Sequence, residues 1–458
     1  MNKRDSLNTK NKGYERNENY ESDNNYERMC FLADELKQKM RDARREFHRH
    51  AEAGWCEVRT TSVIAKRLAD MGYSVLAGRG VCKADKRMGL PTEEELERQF
   101  ACALQEGAEE PWASLTRGGF TGLIADLDCG EGPTIALRFD MDALRIAEDD
   151  SRGHRPQKEG FRSVNEGVMH ACGHDAHIAV GLAVAEILMQ YRAELKGRVR
   201  LIFQPAEEGV RGARSIVENG HLDDVDFVIA NHMKPAADLE NCDVYMSIGP
   251  SLATSKLDVV FSGLAAHAGS DPEQGRNALL AACTAVLNLH AIPRVGGCET
   301  RVNAGTLHAG TARNVIPDRA EMELEVRGSS TEANAFMEER AHRILKAAAD
   351  MYGCTCEISL AGAAPGMAGD LELIERCIEV CEEKLNLKVA PLGETTEVSE
   401  DFAYMVRRVQ QHGGQGLLFW TISETQEPLH SRKFDLDENA LPAAVKTFCG
   451  LVFDIMGI

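Results

Sequence analysis

The chain lacks any uninterrupted apolar run approaching the roughly 20 residues needed to cross a bilayer as a helix, which argues against a membrane-spanning segment. Its first 28 residues, MNKRDSLNTKNKGYERNENYESDNNYER, have no apolar core, so they do not read as a secretory signal. They are rich in Asn, Glu, Lys and Arg and offer little to bury, so residues 1–28 are expected to be a disordered extension. Positive charge is also short. Asp and Glu total 72 against 52 Lys and Arg, a formal charge of −20, and no local basic patch interrupts it. Such a surface repels phosphate backbones and argues against nucleic acid as a partner. The 14 cysteines have no framework spacing. They are expected to be reduced thiols of a cytoplasmic protein, with Cys354-x-Cys356 and Cys377-x-x-x-Cys381 as packing residues. Neither a solenoid repeat nor a nucleotide-binding glycine fingerprint occurs.

What the chain does have is the makeup of a globular enzyme: 458 residues, 43% hydrophobic and 27% charged, long enough for two or three domains. Residues 31–72 carry helical spacing, and a third helix is expected over Thr92–Glu106. Strands at Gly122–Leu127, Thr134–Phe139, Arg198–Gln204 and Asp226–Asn231 alternate with helices at Ala176–Tyr191 and Ala213–Asn219. This alternation predicts an α/β domain with a mostly parallel sheet and helices on both faces. Residues 256–361 instead read βαββαβ, the ferredoxin-like order, and the α/β pattern then resumes. The expected division is 1–28 extension, 29–253 catalytic domain, 254–363 inserted α+β domain, and 364–458 the rest of the catalytic domain.

Five segments concentrate polar residues, four of them at or just past predicted strand ends, where open α/β sheets place their sites. Asp140-Met-Asp142 follows one strand, although an isolated DxD is more often a solvated loop. His170-Ala-Cys172-Gly-His174-Asp175-Ala-His177 opens a helix, and thiolate and imidazole together suit Zn²⁺, with Mn²⁺ or Co²⁺ also acceptable. A helix N-terminus also favours a thiolate. Asp175 reads equally as an N-cap, and His177 as a core or outer histidine. Glu207-Glu208 is locked between Pro205 and Gly209, so that one carboxylate can bind metal while the other moves a proton. His232 ends a strand and His430 lies near the C-terminus. Each alone reads as structural, but together the segments supply Cys, Glu and three His, a set that fits two metal ions.

The segments MHACGHDAH, FQPAEEG, SGLAAHAGSDPEQGRNALLAA, GTARNVIP and HSRKFDLDE resemble the dinuclear metallopeptidase family of aminoacylases, carboxypeptidase G, hippurate hydrolases and plant auxin-conjugate hydrolases. The resemblance covers roughly residues 30–458. RMGLPTEEEL, GGFTGLIADLDCG and HRPQKEGFRSVNEG add a likeness to the aminobenzoyl-glutamate hydrolases within that family. The resemblance implies two divalent ions per chain, Mn or Zn with Co possible. Cys172 would bridge them, Glu208 and His430 would complete one site, and His174 and His232 the other. It further implies Glu207 as general base, Asp142 as orienting carboxylate, and Asn314 and Arg327 as ligands of the substrate carboxylate. The 254–363 domain would be a lid and dimerisation domain, pairing with a second copy or a related subunit. His267 of one subunit would stabilise the oxyanion in the other. Spacing alone places Arg327 on a surface. The implied reaction is cleavage of an N-acyl amino acid. The rival readings are a broader acylase or dipeptidase and an inactive binding subunit. Ala51, where relatives often carry proline, and the acidic 424–428 stretch depart from the pattern.

Overall fold

The structure, a computed structural model, describes residues 14–236, 239, 241–393 and 399–458. Its strands are β1 (Ser74–Ala77), β2 (Leu123–Asp128), β3 (Thr134–Asp140), β4 (Arg198–Gln204), β5 (Phe227–Pro235), β6 (Val244–Met246), β7 (Ala253–Ser262), β8 (Thr300–Ala309), β9 (Arg319–Gly328), β10 (Thr355–Ala364) and β11 (Gln415–Ser423). Its helices are α1 (Tyr14–Glu35), α2 (Lys37–Arg49), α3 (Val58–Met71), α4 (Glu93–Gln105), α5 (Trp112–Leu115), α6 (Arg155–Glu159), α7 (His174–Gln190), α8 (Ala213–Val217), α9 (Ala278–His290), α10 (Thr331–Met351), α11 (Leu371–Glu379), α12 (Ala403–Gln411) and α13 (Leu441–Met456).

A seven-stranded sheet runs in the order β1-β2-β4-β3-β5-β11-β6. The pairs β4–β3, β3–β5 and β5–β11 are parallel, and the three outer pairs are antiparallel. The sheet is therefore mixed, and parallel only across its centre. Parallel neighbours need long crossovers, which α7 and α8 provide between β3, β4 and β5. Alternation along the strands feeds two cores. Val199, Leu201 and Phe203 of β4 join a cluster with α2, α7 and α13, while Ile202 joins the opposite one with α8 and α12.

The second sheet is fully antiparallel, in the order β10-β7-β9-β8. With α9 and α10 against one face it has the βαββαβ sequence order expected. Leu257, Val259 and Phe261 of β7 and Met322, Leu324 and Val326 of β9 form its core with those helices. The other face carries Glu321, Glu323, Glu325 and Arg327.

Residues 14–28, expected in the extension, instead belong to α1. Tyr26, Met29 and Ala33 are buried, and the Tyr26 ring lies 5.8 Å from that of Phe453 on α13. Three apolar positions at helical spacing suffice to dock an otherwise polar helix. Residues 1–13 of the expected extension lie outside the described residues. All 14 cysteines are free thiols, and Cys377 and Cys381 sit in the main core.

Candidate metal centre

The site assembles where the central parallel strands end. β3 delivers Asp140 and, just beyond it, Asp142. β4 leads into Glu207 and Glu208, and β5 carries His232. Cys172 and His174 flank Gly173, whose φ of 93° is left-handed, with Met233 and Leu436 only 3.4 Å from where a side chain would begin. Ala206, Val210 and His430 also have positive φ (49°, 58° and 65°) without being glycine. Backbone strain of that kind persists where the surroundings over-determine it, as at sites built for function. Ala206 and Val210 bracket the two glutamates, and His430 is itself such a residue.

His174 and His232 each have one ring nitrogen engaged by a backbone carbonyl. His174 Nδ1 lies 2.8 Å from the Asp142 carbonyl oxygen, and its Nε2 is buried with no hydrogen-bond partner among the described residues. His232 Nδ1 donates to the Met233 carbonyl at 2.7 Å, which leaves Nε2 unprotonated and 3.4 Å from Cys172 Sγ. His430 Nε2 is 3.6 Å from Glu208 Oε1, itself buried without a hydrogen-bond partner among the described residues. Two donor groups result, Cys172–His174–His232 and Cys172–Glu208–His430, each with its ligand atoms within 4.8 Å of one another. Cys172 belongs to both. Asp142 anchors the glutamate turn by accepting the backbone N–H groups of Glu207 (2.9 Å) and Glu208 (3.0 Å). His177 does not face the cleft as a free ligand. Its Nδ1 pairs with Asp140, and its Nε2 accepts the Met233 N–H at 3.0 Å, so both ring nitrogens are committed.

Carboxylates outnumber cations here. Burial, then Glu400 and Glu208, hold the Glu207 carboxyl well above its usual range, with Arg138 opposing them. Burial likewise lifts Glu208 to about 7, against the pull of His174. Burial disfavours charge on His174, but Asp140 and Asp142 outweigh it and raise the imidazole to about 10. His232 is pushed down to about 3, by burial first and then His177. The Cys172 thiol is held well above its ordinary value by burial, Glu208 and Glu207. The helix start expected to favour a thiolate is overridden by that crowd. These residues fit a pair of divalent cations. Added positive charge would neutralise the surplus, ionise the thiol, and engage the two orphaned atoms, His174 Nε2 and Glu208 Oε1.

Sequence reasoning passed over the support around Glu207. Arg138, fully buried in β3, binds Gln204 (2.9 Å), Asp140 (2.6 Å) and Glu400 (2.9 Å). Asp401 in turn accepts the N–H groups of Gly212 and Ala213 at the start of α8. The available signal was one arginine inside the apolar run TIALRF. Arg138→Met leaves three buried carboxylates without their cation and is expected to cost about 3–5 kcal/mol. Urea unfolding at neutral pH measures this, and a loss under about 1 kcal/mol would contradict the role given to the network.

The cleft, about 380 Å³, is lined by Cys172, Glu207, Glu208, His232, Glu400 and His430, and by Lys256 and Arg327 from the second sheet. Arg327, a surface residue by its spacing, thus faces the donors from across the cleft. Only the end of the sheet's polar face that carries Lys256 and Arg327 meets the site, while Glu321 and Glu323 are exposed. His267 and Asn314 stand elsewhere. They are exposed neighbours on the second sheet's loops, with Ala268 N–H donating to the Asn314 carbonyl at 3.0 Å, and neither lines this cleft. His267 Nδ1 accepts the N–H groups of Gly269 (3.1 Å) and Ser270 (3.0 Å). The ring therefore carries its proton on Nε2, as a donor.

A fold of this kind, with Cys, His and Glu donors at its central strand ends, is that of a metal-dependent amide hydrolase. The chain belongs to peptidase family M20/M25/M40, whose model matches residues 136–454. It is 44% identical over 420 residues to indole-3-acetyl-aspartic acid hydrolase of Enterobacter agglomerans, covering 90% of this chain and 95% of that one. It is 43% identical over 423 residues to one of the subunits of p-aminobenzoyl-glutamate hydrolase from Escherichia coli, covering 91% and 95%. Among solved structures it is similar to an aminobenzoyl-glutamate utilization protein from Klebsiella pneumoniae (TM-score 0.79, 38% identity, 92% of this chain and 97% of that one). It is also similar to a dinuclear metal-binding M20 peptidase from Bacillus subtilis (TM-score 0.63, 28% identity, 92% and 99%).

Proposed function

We propose that this enzyme hydrolyses p-aminobenzoyl-glutamate to p-aminobenzoate and glutamate. Cys172, His174, Glu208, His232 and His430 would hold two divalent ions, Mn or Zn, with Co acceptable to the same donors. The observation that carries this reading is one cleft lined by Glu207, Cys172, Glu208, His232, His430 and Arg327, with two donor groups meeting at Cys172. When bound, the ions supply Lewis acidity and bring the pKa of a water ligand toward neutrality. Glu207 takes the proton of the attacking water and later delivers it to the leaving amine nitrogen. Asp142 keeps Glu207 and His174 in place. Arg327 binds the substrate carboxylate, for which its planar fork is suited. Residues 29–253 and 364–458 form the catalytic domain, and 254–363 the lid and dimerisation domain. The free thiols agree with a reducing cytoplasm.

Side-by-side turnover of p-aminobenzoyl-glutamate, hippurate and simple dipeptides tests the assignment. The aminobenzoyl conjugate is expected to have the highest kcat/KM. Equal or better turnover of the others would assign the chain to a broader acylase or dipeptidase.

The lid pairs with a second copy or with a related subunit. The exposed His267, with its donor on Nε2, and its neighbour Asn314 serve the partner's site, where His267 stabilises the oxyanion. His267→Ala and Glu207→Gln should then complement each other. A mixed dimer holds one site with both defects and one with neither. With random exchange half the dimers are mixed, so about a quarter of wild-type activity should return. Absence of recovery after verified exchange would place His267 outside catalysis in trans.

A further inference from the structure

We propose that Lys256 is a specificity-determining cation for a second, side-chain carboxylate on the amino-acid half of the substrate. The site would then select N-acyl derivatives of dicarboxylic amino acids over monocarboxylic ones. The proposal rests on the reading of the cleft as an N-acyl amino-acid site and assigns a residue to one feature of that substrate.

The placement follows from strand register. β7 and β9 pair antiparallel with Lys256 opposite Glu325 and Thr254 opposite Arg327. Alternation sends Leu257, Leu324 and Val326 into the core and leaves Lys256, Glu325 and Arg327 together on the polar face. Glu325 holds both cations. Lys256 Nζ lies 3.3 Å from Oε2, while Arg327 Nε and Nη2 lie 3.0 and 3.1 Å from Oε1 and Oε2. One carboxylate thus spaces two cations side by side. An amino acid with two carboxylates a few bonds apart needs that spacing. Lys256 and Arg327 are the cations this wall presents to a cleft otherwise rich in glutamate.

Lys256 also lines an adjoining cavity of about 430 Å³, so it stands where the two spaces meet. The competing cations are differently committed. Arg211 donates to the carbonyls of Glu208 (2.7 Å) and Gly89 (3.1 Å). Lys234, supplied by β5 rather than the second sheet, lies 5.1 Å from the centre of the Tyr245 ring. Lys256 has three donors and one long contact, and its side chain is 32% exposed. Asp258 and Glu323 line the adjoining cavity too and repel an anion from its far side.

The test is the ratio of kcat/KM for p-aminobenzoyl-glutamate over p-aminobenzoyl-glutamine, which differ only in the second carboxylate. The metal-loaded wild type should favour glutamate at least about tenfold, the scale of one charge-assisted hydrogen bond. Lys256→Met should lower the ratio by about that factor, mainly through KM, and Lys256→Arg should restore most of it. A ratio within twofold of wild type in Lys256→Met, or a collapse caused by Lys234→Met instead, overturns the proposal. Calorimetric binding of glutamate and glutamine to the wild type covers the case of a variant that does not fold, and equal affinities overturn the proposal there. A wild type that hydrolyses neither conjugate overturns the functional reading itself, and this shows before any variant is compared.

Discussion

Replacing Glu207 with glutamine is expected to lower kcat toward the 10⁴ end of the roughly 10²–10⁴-fold range for general acid–base groups, while leaving metal content almost unchanged. The upper end is expected because in the proposed reaction one carboxyl serves twice, taking a proton from water and returning it to the leaving amine. Glu207 is buried and supported from several sides: its backbone N–H is held by Asp142, and Glu400 and Asp401 press on its carboxyl. Glutamine keeps the shape and removes the proton-accepting oxygen. The cleft contains another buried carboxylate in Glu400, but Arg138 already engages it at 2.9 Å. Activity above about a tenth of wild type, with metal content verified, would remove Glu207 from the role.

Cys172→Ser is expected to weaken both ions together and to reduce activity in proportion to the metal lost. Cys172 is common to the two donor groups, so a change there reaches both. Without a cation the thiol is held far above its usual value by burial and by Glu208 and Glu207. Ion binding must therefore drive its ionisation, and the proton is released on binding. A serine hydroxyl is a far weaker acid and stays protonated in the same surroundings. Elemental analysis after dialysis against a weak chelator reads the result. Loss of one ion with the other held at unchanged affinity would contradict a shared ligand.

Where pattern and structure share a cause, the sequence was readable. β4 was delimited correctly at Arg198–Gln204 because a central strand must alternate between two cores, and RVRLIFQ does. β1 and β6 were missed. They are edge strands of four and three residues, too short to show a period, and their pairing comes from their neighbours. The start of α1 was hidden by polar composition, although Tyr26, Met29 and Ala33 carry its helical spacing. At the site, the density of His, Cys and Glu at strand ends marked the residues that the fold gathers. Two features were beyond local reading. Arg327 and Lys256 look like surface residues because alternation reports only which face is apolar, not what the polar face meets. His177, in contrast, reads from the sequence as a core or outer histidine, and Asp140 and the Met233 N–H do occupy both its nitrogens. Arg138 stood out only as a charge in an apolar strand, and its partners Glu400 and Asp401 lie more than 260 positions away.

The central claim of the proposal is that hydrolysis depends on two ions gathered around Cys172. The most direct test titrates chelator-stripped protein with Mn²⁺ or Zn²⁺, following bound metal and p-aminobenzoyl-glutamate hydrolysis in the same samples. The account predicts no turnover without metal, and binding and activity that both saturate at two ions per chain. Full activity at one ion per chain, or turnover that persists after both ions are removed, would contradict it.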